Sequence, residues 1–599
     1  MRRLSMIILI FLMNLLTWQT TESLNFLLIV IDDLRPALGS YGDASAYTPN
    51  IDKLAESSVL FSQTYAQQSL CAPSRNSLLT SRRPDTLRLY DFYNYWRDTV
   101  GNFTTLPQHL KNNGYVTKSI GKIFHPGISS NYSDDSPYSW TDKPFHPRTN
   151  RYKNSPVCPG FDASSPAANL VCPVSVASMP RKTLPDLEIL KAAKIFIKNH
   201  TNDERPFFLA VGFEKPHIPL KYPQEYLNYH PLSKFNMVYP YEWPKNVSNV
   251  AYNPWTDIRQ RDDVQNLQLK FPWEKIPVGF AKTIIQSYYA AVTYVDDLVG
   301  MLLDELRCSN IQNDTVVLLT SDHGWSLGEH AEWAKYSNFE VALRVPLIIS
   351  IPRTEPRVTV RHVGLSGFLH PVADLLWGDD GRTKKRAVKR VLQMKENSAH
   401  PERPRNVRRS EYRVFKDKRN VVRVDAMVEL VDIFPTIAEM AGVPIPICPE
   451  FRAHFHDVDN RTSMPNLCSE GVSLIPLIKA AKENQVIDWK SGAFSQYPRP
   501  GVEPTAKPNS DKPRLRDIAI MGYSLRTKDY RYTAWIRFIQ ETKMPDWSTI
   551  LAEELYDHTV DWNENLNVAM NPQFYDVKVE LRKLLRSGWR KALPDAISF

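Results

Sequence analysis

After its first 23 residues the chain has no apolar run long enough to cross a bilayer, so no transmembrane segment is expected in the remainder. Internal repeats are missing as well, which excludes solenoid and propeller arrays. Cysteine is scarce, with six in 599 residues. Cys158 and Cys172 are close in sequence, as are Cys448 and Cys468, and both pairs stand in Pro- and Asn-rich loops. They are expected to form disulfides, although other pairings satisfy the same sequence. Charge of one sign is scarce too, outside a single stretch. Residues 379–423 hold sixteen Lys/Arg against six Asp/Glu, a net of +10, which exceeds the formal +9 of the whole chain. The rest is close to neutral, and no nucleic-acid partner is expected. The basic stretch is rich in Pro and dibasic pairs and has little periodicity, so it reads as a mobile insertion over about 352–424. It is a solvated loop without function, a contact for an anionic polysaccharide, or a processing site.

Apolar residues make up 43% and charged residues 23%, which excludes disorder throughout and supports a large core. Arg2 and Arg3 precede an apolar run from Met6 to Leu16, then small and polar residues. That is the layout of a secretory signal peptide over residues 1–23, and the run is short for a membrane anchor. Sequons at Asn102, Asn131, Asn199, Asn246, Asn313 and Asn460 agree with a glycosylated product of the secretory route.

The chemistry is organised around Cys71-Ala72-Pro73-Ser74-Arg75, followed by Asn76-Ser77-Leu78-Leu79-Thr80. Pro73 suits the first turn of a helix, where its missing N–H costs nothing. Cys71 then sits at a helix N-terminus, facing free N–H groups and the positive end of the dipole. Arg75 lies one turn later on the same face. A nucleophile beside a fixed cation suits a phosphate or sulfate ester. The alternative is a structural or redox cysteine.

Two buried strands deliver acidic clusters. Leu24 to Ile31 enters Asp32-Asp33, and Thr315 to Thr320 enters Ser321-Asp322-His323. Such strand ends are where open α/β sheets place ligands, and paired hard oxygens suit a divalent cation such as Ca²⁺. An Asp-Asp alone also caps turns. Pro206 to Gly212 is a third strand, running into Lys215-Pro216-His217-Ile218-Pro219, whose prolines hold His217 in an extended loop. Lys122 and His125 share one side of a turn, as a site pair or a surface pair. Residues 82–97, basic and aromatic, form either a cleft wall or a packed loop. Residues 131–182 look like a long surface excursion. A core helix is expected over Ala281–Leu306, another near Leu430–Ala441, a hairpin over Ile520–Phe538 and a terminal helix from about Asp576.

The string C-x-P-S-R with L-L-T resembles the signature of the sulfatase family, whose cysteine is oxidised to formylglycine during secretion. Gly121-Lys122-x-x-His125, K-P-H-x-P at His217, D-H-G-x-x-L-G-E-H-x-x-x-x-K from Asp322 to Lys335, and Glu554-Leu555-Tyr556-Asp557 with Asp561, Glu564 and Asn567 follow in the family's order. Two departures stand out: Ser81 replaces a usual Gly, and His323 replaces a frequent Asn.

The resemblance implies an α/β fold, with an alkaline-phosphatase-like large mixed sheet flanked by helices and a smaller C-terminal α+β domain. The divisions are residues 24–443, catalytic, and 444–599. It implies one Ca²⁺ on Asp32, Asp33, Cys71, Asp322 and His323. The catalytic residues are then Cys71, Arg75, Lys122, His125, His217 and Lys335. Substrate contacts are Lys335, His217, Trp325 and Lys512, with Arg499 a further candidate. Conversion of Cys71 by a formylglycine-generating enzyme leaves Cys308 as an unpaired, buried thiol. The strings Arg83-Pro84-Asp85-Thr86, Leu89-Tyr90-Asp91-Phe92, Lys122 to Ser130, Tyr252-Asn253-Pro254-Trp255 and Ser495 to Pro500 point to members that act on a sulfated glycosaminoglycan, at the 2-O-sulfate of iduronate in dermatan sulfate and heparan sulfate. The expected location is the lysosome or the secreted fraction. The alternatives are another sulfatase specificity, a phosphatase or phosphodiesterase on the same fold, or an impaired glycosaminoglycan-binding protein. Phosphatases of this superfamily place Ser or Thr at the nucleophile and usually carry two metals.

Overall fold

The computed structural model describes residues 23–594, apart from 161–164, 202, 238, 353–410, 413, 417–420 and 450–464. The expected leader, most of the basic insertion and Asn460 therefore lie outside the described residues.

An eight-stranded mixed sheet forms the centre. Its strands are β1 (Asn25–Ile31), β2 (Val59–Tyr65), β3 (Val116–Gly121), β4 (Phe207–Phe213), β5 (Thr315–Ser321), β6 (Arg344–Ser350), β7 (Val414–Lys416) and β8 (Val422–Glu429). Their order is β7-β8-β2-β6-β5-β1-β4-β3. β1 runs parallel to both β4 and β5, whereas β6 is antiparallel to β5 and β2.

The continuous apolar runs are explained by burial on both faces. Along β1, Leu27, Ile29 and Ile31 point into one core and Phe26, Leu28 and Val30 into the other. The first core is covered by α1 (Pro49–Glu56), α3 (Pro185–Asn199) and α4 (Val278–Cys308); the second by α2 (Cys71–Thr80), α5 (Ile433–Met440) and α6 (Ile475–Glu483). In α4, Tyr288, Val292, Val295, Leu298, Val299 and Leu302 repeat at helical spacing and are all buried. Cys308 closes that helix and is exposed, not buried as expected, because it lies beyond the last buried turn at Glu305 and Leu306.

A second, antiparallel sheet has the order β9 (Ala493–Arg499), β10 (Ile520–Arg526), β11 (Tyr530–Ile539), β12 (Met544–Asp557). The terminal helix α7 (Tyr575–Ser587) packs Val577, Leu581 and Leu585 against it. Disulfides join Cys158 to Cys172 and Cys448 to Cys468. No described helix is long and apolar enough to cross a membrane. Asn102, Asn131, Asn199, Asn246 and Asn313 are all exposed.

Candidate active site

Five chain segments meet at one end of the large sheet: the ends of β1, β3, β4 and β5, and the start of α2. Asp33 adopts a left-handed backbone, φ 63°, in the turn that leaves β1. Its N–H donates to Asp322 Oδ1 at 3.1 Å, locking the two acidic clusters together. Gly121 has φ 82°, and a Cβ there would fall 2.2 Å from the Gly212 carbonyl. Only glycine lets β3 turn this close to β4 and direct Lys122 inward.

Every residue of α2 is buried. Cys71 heads it, and its Sγ lies 3.4 Å from Lys122 Nζ, 3.3 Å from Lys335 Nζ, 3.3 Å from His323 Nε2 and 3.6 Å from Asp32 Oδ1. Arg75 uses all three side-chain nitrogens. Nε donates to Asp322 Oδ2 at 2.8 Å, Nη2 to Asp32 Oδ1 at 3.0 Å, and Nη1 to the carbonyls of Lys122 and Ile123. Lys122 pairs with Asp32 Oδ2 and Lys335 with Asp33 Oδ1, each at 2.6 Å.

The charges perturb one another strongly. Burial pushes the Cys71 thiol up to about 12 despite Lys122 and Lys335. A thiol that stays protonated is a poor nucleophile, so the unmodified side chain is ill suited to attack. Burial also raises Asp33 to about 7, with Asp32 and Asp322 adding repulsion. Asp32 goes the other way: burial opposes its charge, but Lys122, His217 and Arg75 outweigh that and hold it well below the usual range. His125 and His217 are both held well below the ordinary value by burial, helped most by Lys122 and Lys153 respectively.

The donor set fits a divalent cation. Asp32, Asp33, Cys71 and His217 have donor atoms within 4.8 Å of one another, and so do Cys71, Asp322 and His323. His323 Nε2 lies 3.6 Å from Asp33 Oδ1 and 3.5 Å from Asp322 Oδ2. Asp33 Oδ2 is buried with no hydrogen-bond partner, an atom that requires a cation or a donor. A third cluster, Glu340 with His558 and Glu564, is instead an ion-pair network. Glu340 binds Arg526 and Arg531, and Glu564 binds Arg531 at 2.6 Å and His558 at 2.9 Å.

The other expected residues lie around this centre. His217 Nε2 is 4.0 Å from Asp33 Oδ2. The His125 ring packs against Phe92, tilted by 35° with centroids 4.3 Å apart, and its buried Nδ1 has no partner. Most of residues 82–97 is packed: Arg83 pairs with Glu429 and Arg97 with Asp135, while Phe92 contacts His125. Trp325 is buried with Lys335 Nζ 5.6 Å from its ring centre. Lys512 Nζ lies 3.4 Å from Asp511 and 5.0 Å from the Tyr336 ring centre. Arg499 is spent on carbonyls, donating to Val250 at 3.0 Å, Ala251 at 2.9 Å and Tyr336 at 2.7 Å.

Both flanks of Lys335 are anchored. Asn253 Nδ2 donates to the carbonyls of Trp333 (2.8 Å) and Lys335 (2.5 Å), while Asn338 donates to Gly522 in β10. Ser81, the departure at the end of α2, takes the left-handed backbone a Gly would take, φ 51°. Its hydroxyl bonds to the Val431 carbonyl and to Ser469 Oγ. Sequence reasoning missed Lys153, whose Nζ lies 3.2 Å from His217 Nδ1; nothing in its Pro-, Ser- and Asn-rich surroundings singles it out.

The chain is similar to known proteins. A family model described as Sulfatase matches residues 24–378. Human iduronate 2-sulfatase is 44% identical over 543 residues, covering 90% of this chain and 89% of that one. The mouse protein of the same name is 44% identical over 565 residues, covering 92% of each. Among solved structures, a phosphonate monoester hydrolase from Silicibacter pomeroyi superposes with a TM-score of 0.61 at 18% identity, over 94% of each chain. That last likeness concerns the fold alone.

Proposed function

The chain belongs to the sulfatase family, and from that premise we propose that it hydrolyses the 2-O-sulfate ester of iduronate in dermatan sulfate and heparan sulfate. The observation that carries the reading is the Cys71 environment: a buried helix start with two ammonium groups, the His323 imidazole and the Asp32 carboxylate within 3.6 Å of one sulfur. The 44% identity to two iduronate 2-sulfatases supplies the sugar.

Cys71, oxidised by a formylglycine-generating enzyme and hydrated, supplies a nucleophilic hydroxyl and a second hydroxyl that a thiol or an alcohol lacks. A divalent cation on Asp32, Asp33, Asp322 and His323, which we assign as Ca²⁺, supplies Lewis acidity at the sulfate. Lys122 and Lys335 flank the Cys71 side chain and neutralise charge spreading over the sulfate oxygens. Arg75, committed to Asp32 and Asp322, holds those carboxylates in place and adds its charge at longer range.

His217 protonates the leaving sugar oxygen. Its low proton affinity makes it a strong acid once an anionic ester draws a proton onto it, and an acidic lumen assists. His125 is the complementary base. Burial keeps its imidazole neutral, and Phe92 fixes the ring while Nδ1 stays unpaired. Lys512 contacts the substrate carboxylate from the loop that joins β9 to β10, and the Trp325 ring lies beside Lys335. The proposed location is the lysosome or the secreted fraction, reached through the secretory pathway.

The test is protein from a secretory host, with two readouts: the mass of the peptide carrying Cys71, and turnover of a 2-sulfated iduronate disaccharide. Formylglycine with turnover is expected. Formylglycine with cleavage of other sulfate esters only would point to another specificity. An unmodified thiol in every molecule would leave a binding protein.

A further inference from the structure

The catalytic cleft contains one more cation than its carboxylates pair. Lys122, Lys335 and Arg75 each rest on Asp32, Asp33 or Asp322. Lys153 does not. It follows the short helical turn Arg148–Tyr152 in the excursion of residues 131–182, and its ammonium lies 3.2 Å from His217 Nδ1. That nitrogen is also 2.6 Å from the Ile218 carbonyl oxygen. A carbonyl only accepts, so in the tautomer that satisfies this shorter contact Nδ1 carries a hydrogen and has no lone pair for Lys153. Among the described residues, no carboxylate lies within ion-pair distance of Lys153.

The position is held rather than accidental. Lys221 donates to the carbonyls of Tyr152 at 3.2 Å and Lys153 at 3.0 Å, fixing the backbone that presents the side chain. Behind it lies a cavity whose wall is mainly apolar, with Tyr152, Val157, Met179, Leu184 and Pro219, but which also carries Glu214, Lys215 and Lys221. Burial lowers Lys153 to about 8, with Lys122 next. The group still carries a proton in any acidic or neutral lumen. Glu214 and Asp32 favour its charge from beyond ion-pair distance; a buried cation without a contacting counter-charge is still costly, and a ligand anion offsets that cost.

We infer that Lys153 is a specificity-determining residue that binds an anionic group of the substrate other than the ester under attack. This rests on the sulfatase reading above. The anion is the carboxylate of the same sugar or a sulfate on the adjoining one; both offer the oxygens an ammonium needs. Its place beside His217 puts that anion next to the residue assigned to the leaving oxygen. Docking of the sugar and placement of the acid are thereby coupled.

The test compares wild type, Lys153→Gln and Lys153→Arg as full-length secreted protein. The substrates are a 2-sulfated iduronate disaccharide sulfated on its neighbouring sugar, the same without the neighbouring sulfate, the same with the carboxyl reduced to an alcohol, and a small aryl sulfate. Lys153→Gln is expected to raise KM about 10- to 100-fold on the complete disaccharide, with kcat within about threefold. Lys153→Arg should retain most of the affinity. The penalty should vanish on whichever analogue lacks the recognised anion, and that identifies the source. An equal penalty on the aryl sulfate, or none on any substrate, overturns the inference. If wild type cleaves only the aryl sulfate, the iduronate reading fails separately. Inhibition of that turnover by the disaccharides then decides: weakened inhibition in Lys153→Gln supports the role, and unchanged inhibition overturns it.

Discussion

Ser81 tests whether a left-handed helix end can be occupied by serine without loss. A residue with a Cβ in that conformation is strained by about 1–2 kcal/mol. The Ser81 hydroxyl offsets this through bonds to the Val431 carbonyl and Ser469 Oγ, at a fully buried site, worth about 0.5–1.5 kcal/mol net. Ser81→Ala keeps the strain and loses the bonds, so it should destabilise by about 1–2 kcal/mol. Ser81→Gly also loses the bonds but relieves the strain, while its looser unfolded chain costs about 0.5–1 kcal/mol. It should fall within about 1 kcal/mol of wild type and above the alanine variant. Urea unfolding of the three proteins at matched m-value reads the order. Cys71 sits at the opposite end of α2, so kcat should be unchanged, within about twofold, in both variants. An alanine variant as stable as wild type, or a glycine variant less stable than alanine, would refute the reasoning.

Lys335→Met should lower kcat by about 10²–10³-fold, since one aligned cation at the reacting group is lost; unchanged turnover of the disaccharide would remove Lys335 from the site. Exhaustive chelation should abolish turnover, with Ca²⁺ restoring it and Mg²⁺ failing to; equal rescue by Mg²⁺ would end the calcium assignment. Glu332 concerns pH. Burial raises its carboxyl to about 8, Oε1 accepts from the Asn253 N–H, and Oε2 has no partner. Between the unfolded value near 4.5 and about 8, the unfolded chain ionises first, so wild type loses stability as pH rises through that window. Glu332→Gln removes the titration. Its advantage over wild type should be small near pH 5 and grow towards pH 8, to at most about 4 kcal/mol; an advantage independent of pH would show that the carboxyl is not neutral in the fold.

Much of the sheet was readable because its central strands are buried on both faces. The run expected from Leu24 to Ile31 became β1 at Asn25–Ile31, and the run from Thr315 became β5, because no polar residue interrupts either. The long helix extended beyond Ala281–Leu306 to Val278–Cys308, and its added last turn faces solvent. Apolar periodicity reports where a helix must be buried; it is silent where the helix continues without burial. The expectation that Cys308 is buried rests only on its being the cysteine left over, and leaving a thiol unpaired says nothing of its exposure.

The site was legible where the chain itself places residues together and opaque where only folding does. Asp32 with Asp33, Asp322 with His323, and Cys71 with Arg75 are near neighbours, so strand ends and one helical turn bring each pair to a common place. Which cation meets which carboxylate is a different matter. Lys122 and Asp32 are separated by 90 residues, and Lys335 and Asp33 by 302. Asp33 holds both clusters through a backbone N–H that no residue pattern encodes. Lys153 is the extreme case. Its surroundings read as a surface excursion, yet the Cys158–Cys172 disulfide and the two Lys221 bonds hold that excursion against the His217 loop. The residues proposed to break and protonate the ester come from strand ends and the start of α2; the residue inferred to bind a further anion comes from an excursion. Replacing Lys153 should therefore alter the anion recognised while the acidic cluster at the ends of β1 and β5 stays as it is.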